Sequence, residues 1–405
     1  MAPGESRITG FLPSQDCIAT LNAFTAMGVT YQEPSPQHLV IQGVGTSGLQ
    51  EPEDLLDMGN SGTGTRLLMG VLAGQSFCAT LTGDSSLRKR PMARVAGPLR
   101  DMGAIILGRD GDNKLPLSVR GGQLKPIGYT TPVASAQIKS AILLAGLFAD
   151  GVTSVTEHGP SRDHTERMLT SFGVELDQKP GYVAIEGGQP LIPRDLEVPG
   201  DISSAAFFIV AASIVPESDL IIENIGINPT RTGIIDVLAK MGARIAYQNQ
   251  RFMGNEPVAD IHVQSAQLQG VTVSGDEVVR MIDEFPVFAV AAAFAEGGST
   301  VKDAEELRVK ESDRISVIVQ ELGKMGVTID ERPDGFSVEG GQAVQGAHCL
   351  SHGDHRIAMS LAVAALNAQG ETRIQGTAPV ATSFPGFAAL LNDLAPGSIH
   401  EEDHA

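Results

Sequence analysis

Basic side chains in this 405-residue chain lie in a few short clusters, although the chain as a whole is acidic. The densest cluster covers residues 88–94, and another lies at 354–356. In a third, Lys310 and Arg314 have the i, i+4 spacing that places both on one helix face, with Glu311 next to Lys310. Arginine binds phosphate and carboxylate groups through paired hydrogen bonds, and a nearby carboxylate transfers protons. These residue types predict anion binding combined with acid–base chemistry.

Five apolar, helix-like segments begin with polar residues, at 59–73, 134–146, 199–212, 281–295 and 353–366. They are apolar on nearly every face, so we expect them to be buried. The start of a helix carries free N–H groups and a partial positive charge, which attract anions. Each polar residue taken alone could be a simple cap. Five similar starts favour a shared cleft, and its candidate residues are Asn60, Ser135, Gln137, Asp283, His355 and Arg356.

An internal repeat organises the chain. A helix-like stretch ending in Gly and followed by a β-like run recurs at Gly28, Gly103, Gly173, Gly242 and Gly326, with a weaker copy near 397. Glycine is the usual residue just past a helix C-terminus. The spacing of about 70 residues predicts six α/β units and is too long for a solenoid. By the same arithmetic, the first unit lacks about 40 residues and one buried helix, so we expect an incomplete first unit and a weakly active chain.

Composition excludes several classes of function. The net charge is −19 and Trp is absent, which argues against nucleic-acid binding. The longest apolar runs are about 11 residues, too short for the roughly 20 that cross a membrane, and the N-terminus does not resemble a secretory signal. We therefore expect a cytoplasmic protein. The three cysteines are widely spaced, which predicts small buried side chains and neither disulfides nor a metal site.

Nine motifs identify a known family. GNSGTGTR, KRPM, SAQIKSA, SRDHTERML, PGDISSAAFF, MIDEFP, LRVKESDR, GDHRIAM and ATSFP occur here in the order seen in 5-enolpyruvylshikimate-3-phosphate synthases. The resemblance covers essentially the whole chain. It implies an inverted α/β barrel fold with two domains, 1–197 and 198–405, each made of three βαβαββ repeats. It also implies a monomer without cofactor or metal, whose domains close over shikimate 3-phosphate and phosphoenolpyruvate.

The resemblance also assigns roles. It makes Asp283, Glu311 and His355 the catalytic residues: the first takes the proton of the 5-hydroxyl, the second serves C3 of phosphoenolpyruvate, and the third assists proton transfer. The implied contacts of phosphoenolpyruvate are Asn60, Gly62, Arg90, Gln137, Arg314 and Arg356. The implied contacts of shikimate 3-phosphate are Ser135, Gln137, Arg162 and Lys310. Arg66 belongs to the first motif without an assigned contact.

Two departures from the family pattern leave alternatives open. The family's N-terminal motif G-D-K-S-I-S-H-R is absent, and Thr382 stands where many members have Lys. A non-catalytic chain that only binds ligand is therefore one alternative. Another is a UDP-N-acetylglucosamine enolpyruvyl transferase, although 83–94 lacks the Cys that such enzymes usually carry there.

For the inhibitor glyphosate, the family's phosphoenolpyruvate competitor, the signals conflict. SRDHTE, SAQIK and NPTR resemble tolerant members, whereas Gly62 resembles sensitive ones. Because of Gly62, we expect the protein to be sensitive to glyphosate.

Overall fold

The structure is a computed structural model, and it describes residues 1–400. By its internal contacts the chain divides into two compact units. One contains Met1–Pro199 with Phe252–Glu256, and the other contains Gly200–Arg251 with the chain from Pro257. Strands and helices alternate in both units, which confirms the predicted α/β class.

The first unit contains three four-stranded sheets. Its elements are β1 (Pro3–Thr9), α1 (Gln15–Ala26), β2 (Thr30–Ser35), β3 (His38–Val44), β4 (Leu56–Asp57), α2 (Gly62–Ala73), β5 (Cys78–Thr82), α3 (Ala93–Asp101), β6 (Ile105–Gly108), the left-handed turn α4 (Arg109–Asp112), β7 (Lys114–Arg120), β8 (Gly128–Thr130), α5 (Ala136–Gly146), β9 (Val152–Thr156), α6 (His164–Ser171), β10 (Leu176–Lys179), β11 (Tyr182–Glu186) and β12 (Leu196–Glu197). A 3₁₀ turn covers Leu87–Lys89.

The sheets follow one pattern, with orders β4-β5-β7-β6, β8-β9-β11-β10 and β12-β1-β3-β2. The first two strands in each order are parallel and the other pairings are antiparallel. The third sheet therefore takes its first strand from far along the chain, because β12 pairs with Ile8 and Thr9. Within residues 1–44, which the structure describes throughout, this repeat has one helix, α1.

The second unit also has three sheets, of three, four and two strands. Its elements are α7 (Ile202–Ile214), β13 (Asp219–Gly226), α8 (Gly233–Lys240), β14 (Arg244–Met253), β15 (Glu256–Gln264), β16 (Thr272–Val273), α9 (Asp276–Arg280), α10 (Phe285–Phe294), β17 (Gly298–Val301), a 3₁₀ turn (Glu305–Val309), α11 (Arg314–Lys324), β18 (Thr328–Arg332), β19 (Gly335–Glu339), β20 (His348–Leu350), α12 (His355–Ala365), β21 (Arg373–Gln375), α13 (Val380–Ser383) and α14 (Phe387–Leu394). The sheet orders are β13-β15-β14, β16-β17-β19-β18 and β20-β21.

The apolar segments form the buried helices that the sequence predicted. In the second unit α7, α10 and α12 pack against one another, and every residue of α10 from Phe285 to Ala293 is buried. In the first unit α2 packs against α5. That contact depends on Gly70, since a Cβ there would lie 2.3 Å from the backbone oxygen of Ala141. Burial on all sides fixes each helix firmly and so fixes the residues at its N-terminus.

Among residues 1–400, no helix combines the length and the apolar character needed to cross a membrane. The cysteine prediction is correct for Cys349, which is buried, and wrong for Cys78, which is exposed, while Cys17 is half-buried. Cys78 is the first residue of β5, where the outward-facing positions of the strand are open to solvent.

Candidate functional site

Arg90 and Asn60 form a bonded pair at the start of α2. The Nη2 of Arg90 donates to Oδ1 of Asn60 over 2.7 Å, and Nδ2 of Asn60 donates to Oδ2 of Asp84 over 2.6 Å. The second carboxylate oxygen of Asp84 accepts the backbone N–H groups of Ser86 and Leu87. Asp84 therefore ties the basic loop to the residue before the helix and holds the Arg90 guanidinium in place.

The start of α5 lies beside the start of α2 in the same unit. Gln137 accepts from Nη1 of Arg66 over 2.8 Å and donates to Oγ1 of Thr63 over 2.8 Å. Gly62 lies within the same group, since a Cβ on it would be 3.1 Å from Nη1 of Arg90 and 3.2 Å from Nη1 of Arg66. Four of the predicted residues, Asn60, Gly62, Arg90 and Gln137, are thus brought together.

Sequence reasoning named Arg66 in the first motif without assigning it a contact, and it missed Asp84. For Arg66 a signal was present, because it is four residues after Gly62 in a helix and so lies on the same face. No sequence signal marked Asp84, because its role depends on how the loop around it folds.

Two other predicted residues of the first unit are placed by their elements. Ser135 is the N-cap residue of α5 and has an extended backbone. Arg162 is half-buried in the loop between β9 and α6. Both therefore lie where a helix begins.

Arg314 is the centre of the second cluster, which lies in the second unit. Its side chain is 1% exposed, although it carries a full charge. Its Nε donates to Oδ2 of Asp354 over 2.8 Å, and its Nη2 donates to Oε2 of Glu311 over 2.7 Å. Nη1 is buried and makes no hydrogen bond within the described part of the chain. A buried donor without a hydrogen bond is costly, and an anionic ligand would satisfy it.

Asp354 links Arg314 to the start of α12. The carboxylate is fully buried, caps the helix by accepting the backbone N–H of Arg356, and also accepts from Ser312. Burial acts to raise the pKa of Asp354, but the charge and hydrogen bonds of Arg314 lower it more, so the pKa lies below its ordinary value. The aspartate is therefore held as a carboxylate, and sequence reasoning did not single it out.

Asp283 and Lys310 complete this cluster. Oδ1 of Asp283 lies 3.7 Å from Nζ of Lys310 and 3.7 Å from Nη1 of Arg314. The side chain of Asp283 is 18% exposed and that of Glu311 is 29% exposed, so both carboxylates remain accessible. Two accessible carboxylates beside cations have the chemistry needed for proton transfer near a bound anion.

His355 is the first residue of α12 and is half-buried. Burial lowers the pKa of His355 to about 4, with further lowering by the positive charges of Arg356 and Arg314; Asp354 and Glu311 oppose the shift. The imidazole is therefore neutral at physiological pH. In that form it both accepts and donates a proton, so it suits proton transfer but contributes no positive charge.

The helix starts of the second unit are adjacent. Ser203, in the first turn of α7, donates to Glu284, which precedes α10, and Arg231 donates to Asp201 over 2.9 Å and to Ser203 over 2.7 Å. The positive charge of Arg356 at α12 acts on the same Asp201 carboxylate. Adjacent helix starts with arginine side chains suit the binding of phosphate and carboxylate groups. Within residues 1–400, no three His, Cys, Asp or Glu side chains form a group that could hold a metal ion.

The amino-acid sequence matches a known protein family. Residues 1–391 match the family described as EPSP synthase (3-phosphoshikimate 1-carboxyvinyltransferase). The chain belongs to the EPSP synthase family. Within the family, it is 54% identical over 394 residues to a 3-phosphoshikimate 1-carboxyvinyltransferase of Desulforamulus reducens, covering 97% of this chain and 92% of that protein. It is 52% identical over 399 residues to that of Synechococcus elongatus, covering 97% and 89%.

Solved structures agree with this family assignment. An EPSP synthase from Acinetobacter baumannii superposes with a TM-score of 0.89 at 48% identity, covering 97% of this chain and 91% of that one. The enolpyruvyl transferase NikO from Streptomyces tendae superposes with a TM-score of 0.78, covering 97% and 89%. At 18% identity, that second likeness shows a common fold only.

The low pKa of His355 predicts a pH dependence of stability. The unfolded chain has an ordinary histidine, so between about pH 6.5 and pH 4 it binds a proton that the folded protein does not. This component of the free energy of unfolding is therefore present above pH 6.5 and is lost as the pH falls toward 4. We expect His355→Gln to lose less stability than the wild type over this range, measured by chemical denaturation at pH 7.0, 5.5 and 4.5.

The control for this measurement is His400→Gln, because His400 is exposed. The free energy of unfolding of this variant should change with pH as that of the wild type does, across all three pH values. A His355→Gln variant with the same acid sensitivity as the wild type would contradict the low pKa.

Proposed function

We propose that this chain is a 3-phosphoshikimate 1-carboxyvinyltransferase, which transfers the carboxyvinyl group of phosphoenolpyruvate to the 5-hydroxyl of shikimate 3-phosphate and releases phosphate. The observation that carries the proposal is the buried Arg314 guanidinium. It is held by Asp354 and Glu311, and its Nη1 is 3.7 Å from Asp283. Such a group fits a reaction in which both substrates are anions and a proton moves in each step. Family membership gives the same assignment.

The reaction has two steps, addition and elimination. In the addition, the 5-hydroxyl oxygen bonds to C2 of phosphoenolpyruvate, the hydroxyl loses its proton, and C3 gains one. In the elimination, C3 loses a proton and the bond from C2 to the phosphate oxygen breaks. We assign Asp283 as the group that takes the hydroxyl proton and Glu311 as the acid and base for C3. His355, neutral at pH 7, assists proton transfer.

The binding roles are proposals of the same kind. In the first unit, Asn60, Gly62, Arg90 and Gln137 contact phosphoenolpyruvate, and Ser135, Gln137 and Arg162 contact shikimate 3-phosphate. In the second unit, Arg314 and Arg356 contact phosphoenolpyruvate and Lys310 contacts shikimate 3-phosphate. The hydrogen bonds that hold Arg90 and Arg314 support these roles, because a fixed guanidinium loses little freedom on binding.

We also propose a domain organisation and an oligomeric state. The two domains are 1–197 and 198–405, and the division into two compact units near residue 199 supports this boundary. The protein works as a cytoplasmic monomer without cofactor or metal. Light scattering coupled to gel filtration tests the oligomeric state, since a monomer gives the mass of one chain.

Phosphate release tests the activity directly. We expect release only when shikimate 3-phosphate and phosphoenolpyruvate are both present, and none when UDP-N-acetylglucosamine replaces the shikimate substrate. Calorimetric binding of shikimate 3-phosphate without turnover would instead favour the non-catalytic alternative. A chain that shows no binding and no turnover would contradict the proposal.

Removing either catalytic carboxylate separates chemistry from binding. We expect Asp283→Asn and Glu311→Gln to lower kcat by about 10²–10⁴-fold, the usual contribution of a general acid or base. The dissociation constant of shikimate 3-phosphate should change far less, because neither group supplies the charge that binds it. The control is Glu305→Gln, an exposed glutamate in the neighbouring 3₁₀ turn. Near-normal kcat in both active-site variants would exclude the assigned roles.

Gly62 predicts the response to glyphosate. A Cβ at Gly62 would lie 3.1 Å from Nη1 of Arg90 and 3.2 Å from Nη1 of Arg66, so an added methyl crowds the two guanidinium groups. We expect the wild type to be sensitive and Gly62→Ala to raise the inhibition constant of glyphosate more than the KM for phosphoenolpyruvate. Gly97→Ala is the control, because a Cβ there meets open space. An unchanged inhibition constant in Gly62→Ala would contradict the role of Gly62 in the response to glyphosate.

A further inference from the structure

Three charged side chains are buried together in the first unit. Nζ of Lys139 lies 2.8 Å from Oε2 of Glu157 and 2.8 Å from Oε1 of Glu166. The side chains of Lys139, Glu157 and Glu166 are 4%, 7% and 6% exposed, respectively. We call these three residues the buried triad. None of them has a role in the proposed reaction.

Stability alone does not explain the buried triad. Two carboxylates share one ammonium, and the remaining oxygens, Oε1 of Glu157 and Oε2 of Glu166, are buried without a hydrogen-bond partner in the described part of the chain. Burial raises the pKa of Glu166 above its ordinary value, although Lys139 opposes the shift. Buried ion pairs can often be replaced by uncharged side chains of similar size without loss of stability. What an ion pair does supply is a defined geometry between the elements that it joins.

The triad joins three elements of the proposed shikimate 3-phosphate site. Lys139 is on α5, one turn after Ser135 and on the same helix as Gln137. Glu157 directly follows β9, and Glu166 is in the first turn of α6. The connecting loop between these two glutamates therefore has both of its ends bonded to one ammonium group.

That connecting loop carries Arg162. A second contact beside the triad holds the same elements, since the hydroxyls of Ser140 on α5 and Thr165 on α6 are 2.6 Å apart. Two polar contacts with α5 thus help to fix the backbone that carries Arg162, and of these two the triad anchors both ends of the loop. Small errors in the position of a binding group cost much of its effect.

We propose that Lys139 is a positioning residue that fixes Arg162 relative to Ser135 and Gln137 and so sets the affinity for shikimate 3-phosphate. This inference rests on the proposed function. Lys139 does not touch substrate in this account. It acts through Glu157 and Glu166, and the loop between them brings the guanidinium to the site.

The test compares two variants with the wild type. Lys139→Met leaves two buried carboxylates without a cation, so we expect a lower Tm together with weaker binding. The variant Lys139→Met/Glu157→Gln/Glu166→Gln removes all three charges, so we expect it to fold with a Tm close to that of the wild type. In this neutral variant the dissociation constant of shikimate 3-phosphate, measured by calorimetry, should rise at least tenfold. Its KM for phosphoenolpyruvate should stay within about twofold, because Arg90 and Arg314 are held by other residues.

A matched control is Lys114→Met, which removes a lysine from an exposed pair with Asp110 in the same unit. It should bind shikimate 3-phosphate like the wild type. A folded neutral variant with unchanged affinity would overturn the positioning role and leave the proposed function intact. Failure of the neutral variant to fold would also overturn it, by showing that the triad is needed for folding. If the wild type itself does not bind shikimate 3-phosphate, the proposed function fails and this inference fails with it.

Discussion

The ion pair between Arg314 and Asp354 is the interaction on which the rest of the second cluster depends. Both side chains are almost completely buried, and each would be costly there without the other. The pair joins the first turn of α11 to the residue that caps α12, 40 positions along the chain. Glu311 and Asp283 both lie against this guanidinium, and Lys310 in turn lies beside Asp283. Burial of the imidazole is the main cause of the low pKa of His355, and the positive charges of Arg356 and Arg314 lower it further.

The buried helices make this precision possible. A helix that is apolar on all sides can be packed from every direction, as α10 is, and it then has little freedom to shift. Its N-terminus is therefore a stable position for a capping carboxylate and for the ligand-binding residues that follow. The first unit uses the same principle with different chemistry: Gly70 lets α2 and α5 approach closely, and Arg66 and Gln137 are bonded across their starts.

Local patterns predicted the elements of the fold well. The Gly-terminated repeats indicated the order of helices and strands, and the apolar segments indicated which helices are buried. The pairing of β12 with β1 was not predictable in this way, because the partner of a strand edge is decided by distant sequence and not by periodicity. The exposure of Cys78 was missed for a similar reason, since it depends on which face of β5 the packing helices cover.

The candidate site was predicted in part. The motifs pointed to Arg90, Gln137 and Arg314, and the structure gives each of them bonded neighbours. The carboxylates that hold such groups, Asp84 and Asp354, were not singled out, because a positioning residue has no signature of its own apart from the contact it makes. The sequence does contain a signal for Lys139, since a lysine within an otherwise apolar helix needs a buried partner. Only the structure identifies Glu157 and Glu166 as those partners.

The KM for phosphoenolpyruvate in Arg314→Lys tests the central claim most directly. Lysine keeps the positive charge, but its single nitrogen cannot reproduce the guanidinium fork, in which separate nitrogens bond Asp354 and Glu311 and Nη1 is left for the ligand. The account predicts a KM at least tenfold above that of the wild type in a folded protein. Arg332→Lys, a substitution of an exposed arginine at the end of β18, should keep the KM within about twofold. An Arg314→Lys variant with the KM and kcat of the wild type would contradict the claim that the buried guanidinium binds the substrate anion.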